Sequence, residues 1–240
     1  SNGVIIKNVE RRSQTKRTPP SRDVPLGFVR EDGEDLRPLS NRELGTFLDI
    51  INNEREWSAV ERLILLTSLM TGARKQTVLT IRMKHLRGFV DNNLLPEGAY
   101  ILHAGPRTGI DTKFEKPQRL YIPKQLADEL VVLSRSSLMK KRRLKFREKI
   151  SKTHPGLIVD EEDIYLFLSD QGNSYYMAKD DPRYRDAKSP QTGQVADTIK
   201  KKLIGGATED FPKDFTYHWL RATYAYQLYQ RLERLVEKEV

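Results

Sequence analysis

Two arginines and a histidine in this chain have the chemistry of an anion clamp. Arg74 closes the segment Thr71-Gly72-Ala73-Arg74, and His218 and Arg221 bracket His218-Trp219-Leu220-Arg221. A guanidinium presents N–H donors in a fork that matches phosphate oxygens. An imidazole beside it can move or hold a proton. Between the two segments lies Thr112-Lys113, whose ammonium could protonate a leaving oxygen. Lys116 is the alternate donor, because the register of a hairpin is not fixed by sequence. Each segment says little alone. An isolated H-x-x-R is more often a surface pair or a satisfied core histidine, and Thr-Gly-x-Arg arises freely at helix ends. The information is in their order and combination.

These side chains need rigid elements behind them. Ser40-Asn41-Arg42-Glu43 is a capping-box pattern, followed by Leu44, Phe47, Leu48 and Ile51 at helical spacing. Ser58-Ala59-Val60-Glu61 repeats the signal, and Val60, Leu63, Ile64, Thr67 and Met70 continue an apolar face. Gly72 suits the end of that second helix. A short third helix is expected from Gln76 to Arg82, which places Arg74 at a helix–helix junction. Tyr100 to His103 and Arg119 to Ile122 read as short strands around the turn-rich Gly105-Pro106-Arg107-Thr108-Gly109. Lys113 falls in their connection. Leu126 to Leu133 resume a helix, Ile164 to Leu168 read as a strand, and residues 174 to 190 as an irregular loop. Val195 to Leu203 look helical. Thr216 is placed to cap a last helix through His218, Leu220, Tyr224 and Leu228, with His218 and Arg221 on one face.

The chain of 240 residues carries a net charge of +9, which favours an anionic partner, most often nucleic acid. From Arg135 to Lys152 there are nine basic residues against one acidic one, Glu148. Lys140, Lys141, Arg142, Arg143, Lys145 and Arg147 form its centre and are candidates for DNA phosphate contact. A solvated helix face is the competing reading. Residues 1 to 37 do not read as a packed element. Through Arg22 they hold six basic residues against Glu10, as a phosphate-tracking arm or a solvated linker would. Cysteine is absent, so disulfide and thiolate chemistry are excluded. The four histidines are scattered, and no metal-ligand cluster or cofactor motif is visible. No apolar run approaches the ~20 residues of a membrane span.

With those motifs in view, the stretch from Leu39 to about Tyr229 resembles the catalytic domain of the tyrosine recombinases, the phage-type integrases. That family opens with a capped helix, has its first arginine in T-G-x-R, carries a lysine in a β-hairpin and presents H-x-L-R near the start of a late helix. The resemblance implies an α+β fold, mostly helical with a small antiparallel sheet. Residues 1–37 would be a basic arm and 38–240 the catalytic domain, cut short at its C-terminus. It implies cleavage and rejoining of double-stranded DNA through a phosphotyrosyl link, in integration or site-specific recombination. Arg74 and Arg221 would clamp the scissile phosphate, Lys113 would protonate the leaving 5′-oxygen, and His218 would orient or deprotonate the nucleophile. No cofactor is implied. The partner would be DNA, with a monomeric free form that self-associates on it, in the cytoplasm, from a phage or mobile element.

Three departures stand out. The family often has an acidic residue three positions after the first arginine, and here that position is Thr77. Its later Gly-His pair and following tyrosine have no counterpart here, and Tyr224, Tyr226 and Tyr229 lie too close to Arg221 to be the nucleophile. The domain that usually precedes the catalytic one is reduced to the arm. The expectation is a fragment that binds DNA without forming a covalent adduct. A non-catalytic nucleic-acid-binding domain of the same fold is the alternative. A weaker third reading is an unrelated basic helical protein that binds RNA or an acidic protein.

Overall fold

A computed structural model of the chain describes residues 29–31, 34–207 and 211–239, with side chains from Leu36 to Ala207 and from Phe211 to Glu233. Residues 1–28, which carry the basic arm, lie outside the described residues. The chain separates into two units, Ser1–Leu36 and Arg37–Val240. In the first, β1 (Val29–Glu31) pairs antiparallel with β2 (Glu34–Leu36). The sequence reads residues 1–37 as an arm or linker that is not packed, and β1 with β2 places a short hairpin at its C-terminal end.

The second unit is built on helices with one hairpin. Its first two helices are α1 (Asn41–Ile51) and α2 (Ala59–Thr71). Both expected capping boxes form, Ser40 with Glu43 and Ser58 with Glu61. Each satisfies two N–H groups that a helix start leaves unpaired. Helix α2 buries Val60, Leu63, Ile64, Leu65, Thr67 and Ser68, so it is enclosed on nearly every side. It ends at Gly72, whose φ of 66° is the left-handed cap conformation.

Helix α3 runs only from Lys75 to Leu79. It stops three residues before the expected Arg82, because Thr80 Oγ1 donates back to the Gln76 carbonyl at 2.7 Å and the chain then turns to pair elsewhere. The partner is the segment expected as a strand. Ile164 to Leu168 are fully buried, but they join no sheet and make only isolated bridges, Tyr165 with Arg82 and Leu168 with Ser174. Leu166 N–H donates to Ile81 O at 2.8 Å and Met83 N–H to Ile164 O at 3.0 Å. A continuous apolar run signals burial, and it does not by itself supply a ladder partner.

The hairpin is β3 (Ala99–Ala104) with β4 (Gln118–Pro123), in register from Ala99↔Pro123 to Ala104↔Gln118. Tyr100, Leu102, Leu120 and Ile122 face the core. Beyond it come α4 (Lys124–Arg135), α5 (Ser137–Thr153), α6 (Val195–Gly205) and α7 (Trp219–Glu239). Residues 174 to 190 are irregular, as expected. Thr216 does not cap α7 with its side chain. Its hydroxyl is buried and makes no hydrogen bond among the described residues, while its carbonyl accepts Trp219 N–H at 3.0 Å. The start of α7 is set by packing. Phe211, Phe215 and Trp219 form an aromatic row, with Phe215 6.0 Å from Trp219 and Phe47 of α1 6.3 Å from Phe215. Thr223 Oγ1 accepts the N–H of Leu39 at 2.9 Å and ties α7 to the entry of α1.

Candidate functional site

Arg74 stands where α2 hands over to α3. The two residues before it are fixed on all sides. Ser68 Oγ donates to Ala73 O at 2.8 Å, Ala73 N–H donates to Thr71 Oγ1 at 3.2 Å, and Ala73 is buried. Arg74 itself has extended backbone at the N-terminal boundary of α3 and is half-buried.

Arg221 reaches the same place from α7. Its Nε donates to the carbonyl of Gly72 at 2.8 Å. Tyr224, one turn on, lays its ring against Gly72, so closely that a Cβ there would sit 2.5 Å from Tyr224 Cδ1. The left-handed glycine therefore does two jobs. It ends α2, and its bare Cα lets α7 approach near enough for Arg221 to touch the backbone two residues before Arg74. Burial holds the Arg74 pKa below its ordinary value, and the nearby Arg221 guanidinium lowers it further. An arginine stays charged even so. Two cations held together in partial burial repel each other, and an anion shared between them would convert that repulsion into attraction.

His218 immediately precedes α7, and its carbonyl accepts Arg221 N–H at 3.0 Å. It is half-buried. Its two neighbours fix it. Tyr217 is buried, with its hydroxyl donating to Ile64 O at 3.3 Å, and burial pushes that phenol far up. Trp219 is buried beneath the guanidinium of Arg37, 4.1 Å from the ring centroid. Arg37 is in turn held by both carboxylate oxygens of Glu43, at 2.6 and 2.8 Å. Sequence reasoning missed Arg37. Its signal would have been a lone arginine just before a capping box, which is no signal without the fold.

Lys113 belongs to the β3–β4 connection, in a short 3-10 turn Lys113–Glu115. That connection is tied to the far end of α3, since Asp111 N–H donates to Thr80 Oγ1 at 2.9 Å. Lys113 Nζ lies 5.1 Å from the centroid of the Phe114 ring. Lys116, the alternate, is exposed. Thr112 is buried and its hydroxyl donates to Lys116 O at 2.7 Å, which closes the turn around Lys113.

The basic run does not present one face. Arg142 and Arg143 are each only 6% exposed. Arg142 donates to Leu168 O at 2.7 Å and pairs with Asp170. Arg143 donates to Ser134 O at 2.9 Å and pairs with Glu161. These two are interior struts of α5, which corrects their assignment as phosphate contacts. Their guanidiniums satisfy carbonyls that no helix or strand reaches. Arg147 is exposed and pairs with Glu161 at 2.7 Å, and Lys145 donates to Asp170 O at 2.9 Å. Lys140 and Lys141 are exposed.

Thr77, at the position where an acidic support was looked for, is buried at 1% exposure. Among the described residues no group of three or more metal-ligating side chains converges, and no helix is long and apolar enough to cross a membrane.

No family model matches the chain, and no curated protein matches it. Solved structures do. The chain is similar to the XerH site-specific recombinase bound to its difH substrate in a pre-cleavage complex, with 19% identity and a TM-score of 0.46. It is also similar to the Tn1549 transposon integrase in complex with transposon right-end DNA, with 18% identity and a TM-score of 0.44. These matches cover 81% and 85% of this chain. The chain spans 43% of the XerH chain and 56% of the integrase chain.

Proposed function

We propose that this chain is the phosphate-activating part of a DNA strand-transfer enzyme of the tyrosine-recombinase type. The observation that supports this most is the 2.8 Å bond from Arg221 Nε to the Gly72 carbonyl, which brings the H-x-L-R segment onto the T-G-x-R segment. In the proposed reaction a tyrosine oxygen attacks the scissile phosphorus, forms a phosphotyrosyl bond and expels the 5′-oxygen. Arg74 and Arg221 stabilise the charge that builds on the non-bridging oxygens. His218 takes or directs the nucleophile's proton, and Lys113 gives one to the leaving oxygen. Rejoining is the reverse, with a second strand's hydroxyl as the attacking group. The exposed Lys140, Lys141, Lys145 and Arg147 would hold the DNA backbone, which positions the duplex without reading its sequence.

The attacking hydroxyl is not assigned to a tyrosine of residues 1–240. Tyr100, Tyr165 and Tyr217 are buried, and Tyr224 is packed on Gly72. Tyr226 and Tyr229 are exposed on α7 beyond it. The test is a denaturing gel of labelled, nicked duplex DNA incubated with residues 1–240 and with the full-length natural protein. The expected result is salt-dependent binding by residues 1–240 without a protein-linked band, and a band from any form of the protein that supplies the attacking tyrosine. In that form Arg221→Ala should lower cleavage by roughly 10²-fold or more, by analogy with loss of one oxyanion donor. A band from residues 1–240 would return Tyr224, Tyr226 and Tyr229 to candidacy. Binding without any band from the full-length protein on its own site would favour a non-catalytic DNA-binding domain.

A further inference from the structure

The tip of the β3–β4 connection holds an aromatic ring out in water, in a strained backbone, on a fixed base. Phe114 is 77% exposed. It and Glu115 have φ of 58° and 55°, two successive left-handed residues, neither of them glycine. Such conformations cost of order 1 kcal/mol each and persist only where the surroundings impose them.

The surroundings do impose them. Before the tip, Asp111 is bound on both sides. Its N–H donates to Thr80 Oγ1, and its carboxylate accepts Lys179 N–H at 3.1 Å. Further back, His85 Nε2 donates to Thr108 O at 2.8 Å while its Nδ1 accepts Arg82 N–H, also at 2.8 Å. After the tip, Thr112 Oγ1 holds Lys116 O, and Glu115 pairs with Lys179 at 2.7 Å. A single exposed phenylalanine is ordinarily unremarkable. A phenylalanine lifted off the surface by an anchored, left-handed turn is a different observation, because a relaxed turn could lay the ring down. The same connection and the first residues of β4 carry exposed Arg107, Lys116 and Arg119 beside Lys113, so its surroundings suit an anionic partner.

We propose that Phe114 is a nucleic-acid base contact, a ring that stacks on or wedges beside a DNA base while the neighbouring cations hold the flanking phosphates. It rests on the DNA-binding reading above and adds to it an interaction that carries no charge. A base offers the π-face that the ring lacks in water, and aromatic wedges open base steps in this way. The ring belongs beside the leaving oxygen to which Lys113 is proposed to give its proton, so it would also fix where along the strand that lysine works.

The experiment uses residues 1–240 with two polyanions, a labelled mixed-sequence duplex and heparin, which has charge and no bases. Phe114→Ala should lower duplex affinity about tenfold at every salt concentration, as loss of one stacked base does. The log–log salt slope should not change, because no cation is removed. Heparin affinity should be that of the parent. The exposed ring fills no core space, so the thermal midpoint should also stay. Phe114→Trp should keep duplex affinity, and its emission should be quenched by the duplex and not by heparin. Trp57 and Trp219 are buried at 3% and 1% exposure and contribute a constant background. Equal duplex affinity of Phe114→Ala and the parent, with parent binding salt-dependent, would overturn the base contact and leave the DNA-binding reading standing. An equal loss on heparin would show that the ring only supports Lys113, which also overturns it. A parent that binds no duplex at low salt removes both readings together.

Discussion

Gly72→Ala should disable the arginine pair from a position that touches no substrate. The methyl group meets two obstacles. The first is the backbone, since φ is 66° and an L-residue there costs about 1–2 kcal/mol relative to glycine. The second is Tyr224, whose Cδ1, Cε1 and Cγ would lie 2.5, 3.1 and 3.3 Å from the new carbon. The ring must retreat by about 1 Å, and overpacking of that kind costs about 1–3 kcal/mol. The sum is about 2–5 kcal/mol of folding stability, measurable as a shift of the urea midpoint at constant m-value. The obstacles separate in a double-mutant cycle. With Tyr224→Ala as background the steric part vanishes, and Gly72→Ala should then cost only the backbone part, about 1–2 kcal/mol. Because Tyr224 and Arg221 share α7, retreat of the ring also pulls Arg221 Nε from the Gly72 carbonyl. Duplex affinity should therefore fall in the variant at temperatures where it remains folded. A stability loss under about 0.5 kcal/mol would refute the reasoning, because it would mean that α7 does not approach α2 this closely.

Three further outcomes are expected. Arg142→Ala should cost about 2–4 kcal/mol of stability, since it leaves the Leu168 carbonyl buried without a donor, and should leave the salt slope of duplex binding unchanged. Lys140→Ala with Lys141→Ala should do the opposite, with stability within about 0.5 kcal/mol and a slope shallower by about 0.9 for each phosphate that is no longer neutralised. Urea titrations and fluorescence anisotropy across a salt series check both. For acid stability, the Arg37 guanidinium and the Ser40 N–H and hydroxyl hold the Glu43 carboxyl down from 4.5 to about 2. A depressed folded-state pKa means the unfolded chain binds the proton first, so this contribution is complete above about pH 4.5 and is lost as pH falls towards 2. Glu43→Gln should cost about 1–2 kcal/mol at neutral pH, allowing for solvent screening, and nothing near pH 2. A cost independent of pH would show that packing, not charge, holds Arg37 over Trp219.

The residue types alone determined the local punctuation of this protein. Ser40 and Ser58 with glutamates three residues on, Gly72 after an apolar helix, and alternation around residues 100 to 104 and 118 to 122 specify caps, a stop and a hairpin. These signals act over three or four residues, so their physics is complete within a short stretch of sequence. Arg74, Lys113, His218 and Arg221 stand out as candidates only through their types and their order along the chain. The sequence could not say which cations are available. Lys140 to Arg147 look alike in one dimension, yet Arg142 and Arg143 turn inward because the segment from Ser134 to Asp170 offers them carbonyls and carboxylates from outside their own helix. It could not say that Ile164 to Leu168 lack a sheet, because a ladder needs a partner strand that the segment does not contain. Nor could it foresee Arg37 beneath its pair with Glu43 and over Trp219, or the bond from Arg221 to Gly72. Both join segments far apart in the chain, and only the packing of α7 on α1 and α2 brings them within bonding distance.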